Sequence, residues 1–211
     1  MITVHHLNDS RSQRILWLLE ELDLPYAIEF YHRDAVTSLA PPALTAVHPL
    51  GKSPVITDGD EGARATIIES GAIIDYVLRH HGNGRLAPAT TSPAYDEYVQ
   101  WLHYAEGSAM LPLMLKLYTG RLGVAAAPLS PRIDSEIANH LGYVEASLEG
   151  RDWLVGDDLT GADVQMSFVG EIAGRYGLHA HYPNIAAWVK RFQERPAYQR
   201  ALEKGGPYSF A

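Results

Sequence analysis

Polar and apolar positions alternate weakly in "MITVHHL" at the start of the chain, the rhythm of a strand. In "SRSQRILWLLEEL" the period changes, and Ile15, Leu16, Leu18, Leu19 and Leu22 recur at helical spacing. Ser10 and Gln13 have the S-x-x-Q form of a capping box, so this helix is expected to start just after Ser10. Pro25 follows its end and "YAIEFY" reads as a second strand. Strand, helix and strand in about thirty residues make a βαβ unit.

A loop with two prolines follows, "SLAPPALTAV", with room for a short helix. "SPVITDGDEGARATIIE" then reads as a hairpin turning at Asp58-Gly59 or Glu61-Gly62. Ser70 opens a helix in "SGAIIDYVLRHH". The stretch "GNGRLAPATTSP", rich in Gly, Pro and Thr, breaks the pattern and marks a domain boundary. Beyond it strand signals vanish. Helices are expected at 93–118, 132–148, 162–176 and 185–202, the last interrupted near Pro196, with a loop at "GRLGVAAAPLSP". The pattern predicts an α+β fold: a βαβ-ββα domain at 1–81, a linker at 82–92 and an all-helical domain at 93–211.

Composition narrows the chemistry. The formal net charge of the 211 residues is -8, which weighs against a nucleic acid or an anionic membrane as partner. There is no cysteine, so a disulfide framework, a cysteine nucleophile and thiolate metal sites are excluded, and any thiol chemistry needs a thiol brought by a ligand. "MITVHHLNDSRSQR" lacks the apolar core of a signal peptide, and no apolar run reaches about 18 residues, so a cytoplasmic protein without a membrane span is expected. Of the paired histidines, His5-His6 and His80-His81 diverge in direction, only His179 and His181 share a face, and no carboxylates support them. No metal is expected.

Pro54 in "HPLGKSPVI" stands at the mouth of the strand-like run Val55-Ile56. Proline cannot donate to a ladder, and it pushes the preceding Ser53 toward an extended conformation. On the residues alone this is an ordinary strand-start proline. Together with "NDSRSQRILWLLEEL", "IIESGAIIDYVL", "YAEGSAMLPLM" and "LTGADVQMSF", however, it makes the whole chain resemble the cytosolic glutathione transferase family, closest to a fungal-type and bacterial serine-type subgroup. The resemblance implies a thioredoxin-like first domain, a helical second domain, a homodimer, and glutathione as co-substrate in detoxification of hydrophobic electrophiles.

The resemblance also implies roles for residues. Pro54 is then cis, and Ser53 pairs with the cysteinyl backbone of glutathione. Lys52 reaches the glycyl carboxylate. Ser70, at a helix N-terminus, donates to the γ-glutamyl carboxylate, and Glu69 accepts from its ammonium. Read without the family, Ser70 is a helix cap and Lys52 a solvated lysine. Ser10 takes the place of the catalytic serine, donating a hydrogen bond to the thiolate, although a capping role fits it almost as well. Asn8, Arg11 and Ser12 are near enough to assist or replace it. Asn8, Arg11, Ser12, Tyr104, Glu106 and Met110 are the candidates for second-substrate or cross-dimer contacts, with Met114 a further wall, and core packing is the alternative for the apolar ones. Thr160 and Asp163 have capping-box spacing and read as structural. Three activities are open: conjugation, glutathione-dependent disulfide or peroxide reduction, and non-catalytic binding on the same fold.

Overall fold

The computed structural model describes residues 1–59 and 65–211. The elements run β1 (Ile2–Leu7), α1 (Ser12–Glu21), β2 (Tyr26–Tyr31), α2 (Ala43–Val47), β3 (Val55–Asp58), β4 (Ala65–Ile68) and α3 (Ser70–His81). Helices α4 (Pro93–Tyr104), α5 (Met110–Gly120), α6 (Ser130–Ser147), α7 (Gly161–Arg175), α8 (Pro183–Gln193) and α9 (Pro196–Gly205) follow. The expected helix at 93–118 is thus α4 and α5, joined by a π-helical turn at Ala105–Ala109. The expected loop at "GRLGVAAAPLSP" carries one 3-10 turn, Gly123–Ala126. The hairpin is present as β3 and β4, and the Glu61-Gly62 turn lies outside the described residues.

The chain divides into two compact units, 1–87 with 192–211, and 88–191. The division falls within the expected linker. The last twenty residues, expected in the helical domain, group with the first unit.

The first unit is built on a four-stranded sheet in the order β2-β1-β3-β4. β1 and β2 are parallel, joined through α1, whereas β3 is antiparallel to β1 and to β4. This is the βαβ-ββα arrangement of a thioredoxin-like domain. α1 is buried from Ser12 to Glu20 because it packs on β1, α3 and α9 at once. Trp17, fully buried, stacks on Phe192 at 5.2 Å and meets Tyr198 edge-on at 5.5 Å.

In the second unit α7 is the core, with Gly161 to Ala173 all buried. Its start is held by the capping box read from the sequence: Thr160 Oγ1 accepts from Ala162 N at 3.2 Å, and Asp163 Oδ2 accepts from Thr160 N at 2.9 Å. Gly170 lets α8 approach, since a Cβ there would stand 2.7 Å from both Trp188 and Val189.

Candidate functional site

Chain direction gathers the candidates of the first unit. β1 and β4 end, and β3 begins, at the same end of the sheet. The β1–α1 loop with Ser10, the Lys52–Pro54 run and the Glu69–Ser70 junction therefore share that end. The N-termini of α1 and α3 open there too, each presenting the positive end of its dipole.

The Ser53–Pro54 bond is cis. Ser53 Oγ donates to the His5 carbonyl at 3.0 Å. Lys52 is exposed and has no ion pair among the described residues. Glu69 stands at φ 66°, ψ 120°. A glutamate rarely adopts a positive φ, and such conformations gather at ligand sites. The N-cap residue of α3 is Glu69, whose side chain makes no cap hydrogen bond among the described residues. The capping role read for Ser70 is not what its hydroxyl does: it accepts from Arg14 Nη1 at 3.3 Å. Its own proton stays available for an anion at the helix N-terminus.

Ser10 is 4% exposed. Its Oγ accepts from Ser12 N at 3.2 Å, as a cap does, and lies 2.8 Å from Ser12 Oγ. The capping box predicted at Ser10 and Gln13 forms only by half. Gln13 is buried, its amide atoms have no hydrogen-bond partner among the described residues, and regular helix starts at Ser12. Arg33 fixes the loop before Ser10. Its backbone N–H donates to Asn8 Oδ1 at 2.8 Å, and its guanidinium to the carbonyls of Asn8 and Asp9, each at 3.1 Å. Asn8 is thereby committed to the loop, Arg11 is half-buried beside Ser10, and Ser12 is fully buried behind it.

Two buried residues that bond to candidates were not picked out by sequence reasoning. Arg14 is 2% exposed, and its signal was a basic residue four before Leu18 on the buried stripe of an apolar helix. His6, 3% exposed, receives or gives a hydrogen bond at 2.9 Å between its Nδ1 and Ser12 Oγ. Burial pulls its pKa down to about 4, against a backbone hydrogen bond to Gly205 and with a further push from His32. Among the described residues no group of three or more His, Asp or Glu is disposed to hold a metal.

Of the candidates in the second unit, Tyr104 Oη meets His140 Nδ1 at 2.7 Å, and burial, with Tyr143 nearby, pushes its pKa up to about 12. Glu106 sits in the π-helical turn, a feature frequent at functional sites. Met110 is 2% exposed and belongs to the core of that unit.

Residues 10–80 match the model of the glutathione S-transferase N-terminal domain, and residues 124–196 that of the C-terminal domain. Glutathione S-transferase 3 of Schizosaccharomyces pombe is 35% identical over 97% of this chain and 88% of its own length. The chain belongs to the glutathione S-transferase family. A glutathione S-transferase from Actinobacillus pleuropneumoniae, 36% identical, superposes with a TM-score of 0.90 over 100% of this transferase and 95% of its own chain. A glutathione transferase family member from Pseudomonas fluorescens, whose structure has two glutathione bound, is 27% identical, with a TM-score of 0.81 over 96% of this chain and 92% of its own.

Proposed function

We propose that this glutathione transferase binds glutathione at the shared end of the sheet in its first unit and ionises the thiol for attack on a hydrophobic electrophile. One observation carries the reading: cis-Pro54, the strained Glu69 and two helix N-termini, with Arg14 beside Ser70, meet at one end of the sheet. Lys52, Ser70 and the two dipoles supply positive charge and donors for two carboxylates, and Glu69 an acceptor for the ammonium. Ser53 offers backbone to the peptide. Ser10 is the thiolate donor.

A free thiol has a pKa of about 8.5, and lowering it by about two units takes roughly 2.7 kcal/mol of preference for the thiolate. A hydroxyl donor and a helix dipole supply that order of energy. The finer parts of the proposal, a cytoplasmic homodimer working in detoxification with Tyr104 and Glu106 near the second substrate, rest on the family resemblance.

The test is a pH titration of bound glutathione by ultraviolet difference absorption. Wild-type protein is expected to hold the thiol well below its free pKa, and Ser10→Ala to return it toward that value with conjugation falling about tenfold or more. Ser10→Ala also removes an acceptor from Ser12 N, so a stability loss of about 1 kcal/mol accompanies it. Full conjugation by a folded Ser10→Ala protein would end the assignment.

Disulfide reduction is a second reading, favoured by the two glutathione molecules in the Pseudomonas fluorescens relative. One glutathione thiolate attacks a disulfide and releases a thiolate, and the second displaces the other half, giving glutathione disulfide. It needs no protein cysteine, and this chain has none. Comparing turnover of a small disulfide with that of an alkyl halide separates the two.

A further inference from the structure

The loop that leads into Ser10 is gripped by one side chain from another part of the sheet. Arg33, half-buried just past the end of β2, spreads its guanidinium over three backbone carbonyls. Nε donates to Asn8 O at 3.1 Å, Nη2 to Asp9 O at 3.1 Å and Nη1 to Ser38 O at 3.0 Å. Two of these carbonyls belong to residues at positive φ, Asp9 at 49° and Ser38 at 59°. Neither residue is glycine, and such conformations persist where the surroundings over-determine them. Arg33 supplies that constraint at both places.

The Asp9 bond bears directly on Ser10. The Asp9 carbonyl and the Ser10 N–H belong to one planar trans peptide. Holding the carbonyl therefore fixes Ser10 N and Cα, and with them the point from which the hydroxyl hangs. On its other side Ser10 is tied to α1, its carbonyl accepting from Gln13 N at 3.3 Å and its Oγ from Ser12 N at 3.2 Å. Those bonds lie beyond the Asp9–Ser10 peptide and do not set its plane. Ser209 N reaches Asp9 Oδ1 at 2.7 Å, which anchors the side chain and not the peptide.

We propose that Arg33 is a positioning residue: by gripping the Asp9 carbonyl it keeps Asp9 at positive φ and the Ser10 hydroxyl aimed at the ligand thiol. The role rests on the reading of Ser10 as thiolate donor. A guanidinium suits it, because a planar fork meets several carbonyls in fixed directions, whereas an ammonium is a single point. With the fork gone, Asp9 relaxes toward negative φ and the peptide turns. Ser10 then keeps its bonds to α1 and loses its aim.

The experiment is the same thiol titration on Arg33→Met and Arg33→Lys, with the affinity for S-methylglutathione measured beside it. That probe keeps the peptide, the ammonium and both carboxylates of glutathione but has no thiol to ionise. Both substitutions keep the backbone bond from residue 33 to Asn8 Oδ1, 2.8 Å in the wild type, so the loop stays docked while its carbonyls are released. Arg33→Met is expected to raise the bound thiol pKa by about one unit, roughly a tenfold loss of thiolate at a pH below it. Its affinity for S-methylglutathione is expected to stay within about threefold of wild type. Arg33→Lys keeps the charge without the fork and is expected to raise the thiol pKa as well. In a Ser10→Ala background neither substitution is expected to add a further shift. An unchanged thiol pKa in Arg33→Met overturns the role, and one in Arg33→Lys does so too, since charge alone would then suffice. A loss of S-methylglutathione binding in step with the thiol shift, or a full further shift in the Ser10→Ala background, also overturns it while Ser10 stands. Should Arg33→Met not fold, Arg33→Lys decides alone. No effect of Ser10→Ala on the thiol, or no binding of glutathione by the wild type, overturns the functional reading itself and this role with it.

Discussion

At the scale of single residues, the pH dependence of stability separates two buried groups that pull in opposite directions. His6 is neutral in the fold, with a pKa near 4 against an ordinary 6.5, because burial disfavours its charge. Its unfolded form binds a proton that the folded form refuses, so its contribution is present above pH 6.5 and is lost as pH falls toward 4. From pH 7 to pH 5 that loss is about 2 kcal/mol. Asp163 is the reverse: burial pushes its pKa up to about 6, against the donors around it. Its folded form holds a proton longer than the unfolded one, so its contribution is fullest below pH 4 and is lost as pH rises through 6. The two partly cancel in wild-type protein. His6→Asn is therefore expected to lose about 2 kcal/mol less than wild type between pH 7 and pH 5, by urea unfolding at each pH. Equal losses would mean that His6 is not held neutral. None of this was legible in the sequence, where His6 was one of an adjacent pair weighed only as a metal ligand. What matters is its burial against Ser12 and Gly205, and the Gly205 contact spans almost the whole chain.

At the scale of elements, local signals were read well where the chemistry is local. β2 falls on "YAIEFY" residue for residue, and α3 on "SGAIIDYVLRHH", since period and flanking turns decide both. The capping box at Thr160 and Asp163 formed because the aspartate is buried where several donors converge. The box at Ser10 and Gln13 formed by half, because Ser10 lies against Ser12 and Gln13 is turned into the contact with α9. A Cβ on Gly205 would stand 2.7 Å from Gln13 Oε1, a contact no periodicity reports. Asp163 ties three segments together. It accepts from Leu154 N at 2.9 Å, Thr160 N at 2.9 Å and Trp188 Nε1 at 3.0 Å, and so joins the start of α7 to α8 and to the run before it. Asp163→Asn puts an amide NH2 where an acceptor is required, and leaves at least one buried donor unpaired. The expected cost is about 2–3 kcal/mol at pH 7, read as a lower urea midpoint at unchanged slope. A loss under about 0.5 kcal/mol would show that the segments are held by apolar burial alone.

At the scale of the whole molecule, what sequence order hid most completely is that the C-terminus completes the first unit. A linear reading assigns everything after the Gly-Pro break to one helical domain. Yet residues 192–211 close over α1. Phe192 stacks on Trp17 and Tyr198 meets it edge-on, the three rings making one cluster. Glu20, 6% exposed, takes Arg200 at 2.8 Å together with Tyr26 at 2.7 Å and Lys204. Burial raises the Glu20 carboxyl, and these donors outweigh it, holding its pKa below the ordinary value. Ser209 N then donates to Asp9 Oδ1 at 2.7 Å, so the tail ends against the loop that carries Ser10. Losing the partners of a buried aromatic costs about 3–5 kcal/mol, comparable with the 5–15 kcal/mol that holds a typical domain together. The buried Glu20 would be stripped of two cations in the same step, and a buried charge without partners is costly. A chain ended after residue 191 is thus expected to lose the first unit altogether, although every strand and every residue proposed to hold glutathione is still present. Near-ultraviolet circular dichroism and a glutathione titration read this directly: loss of the Trp17 signal and of saturable binding is the expected result. A truncated chain that binds glutathione like the wild type would mean that residues 1–87 fold on their own, and that the C-terminal segment only covers a core already formed.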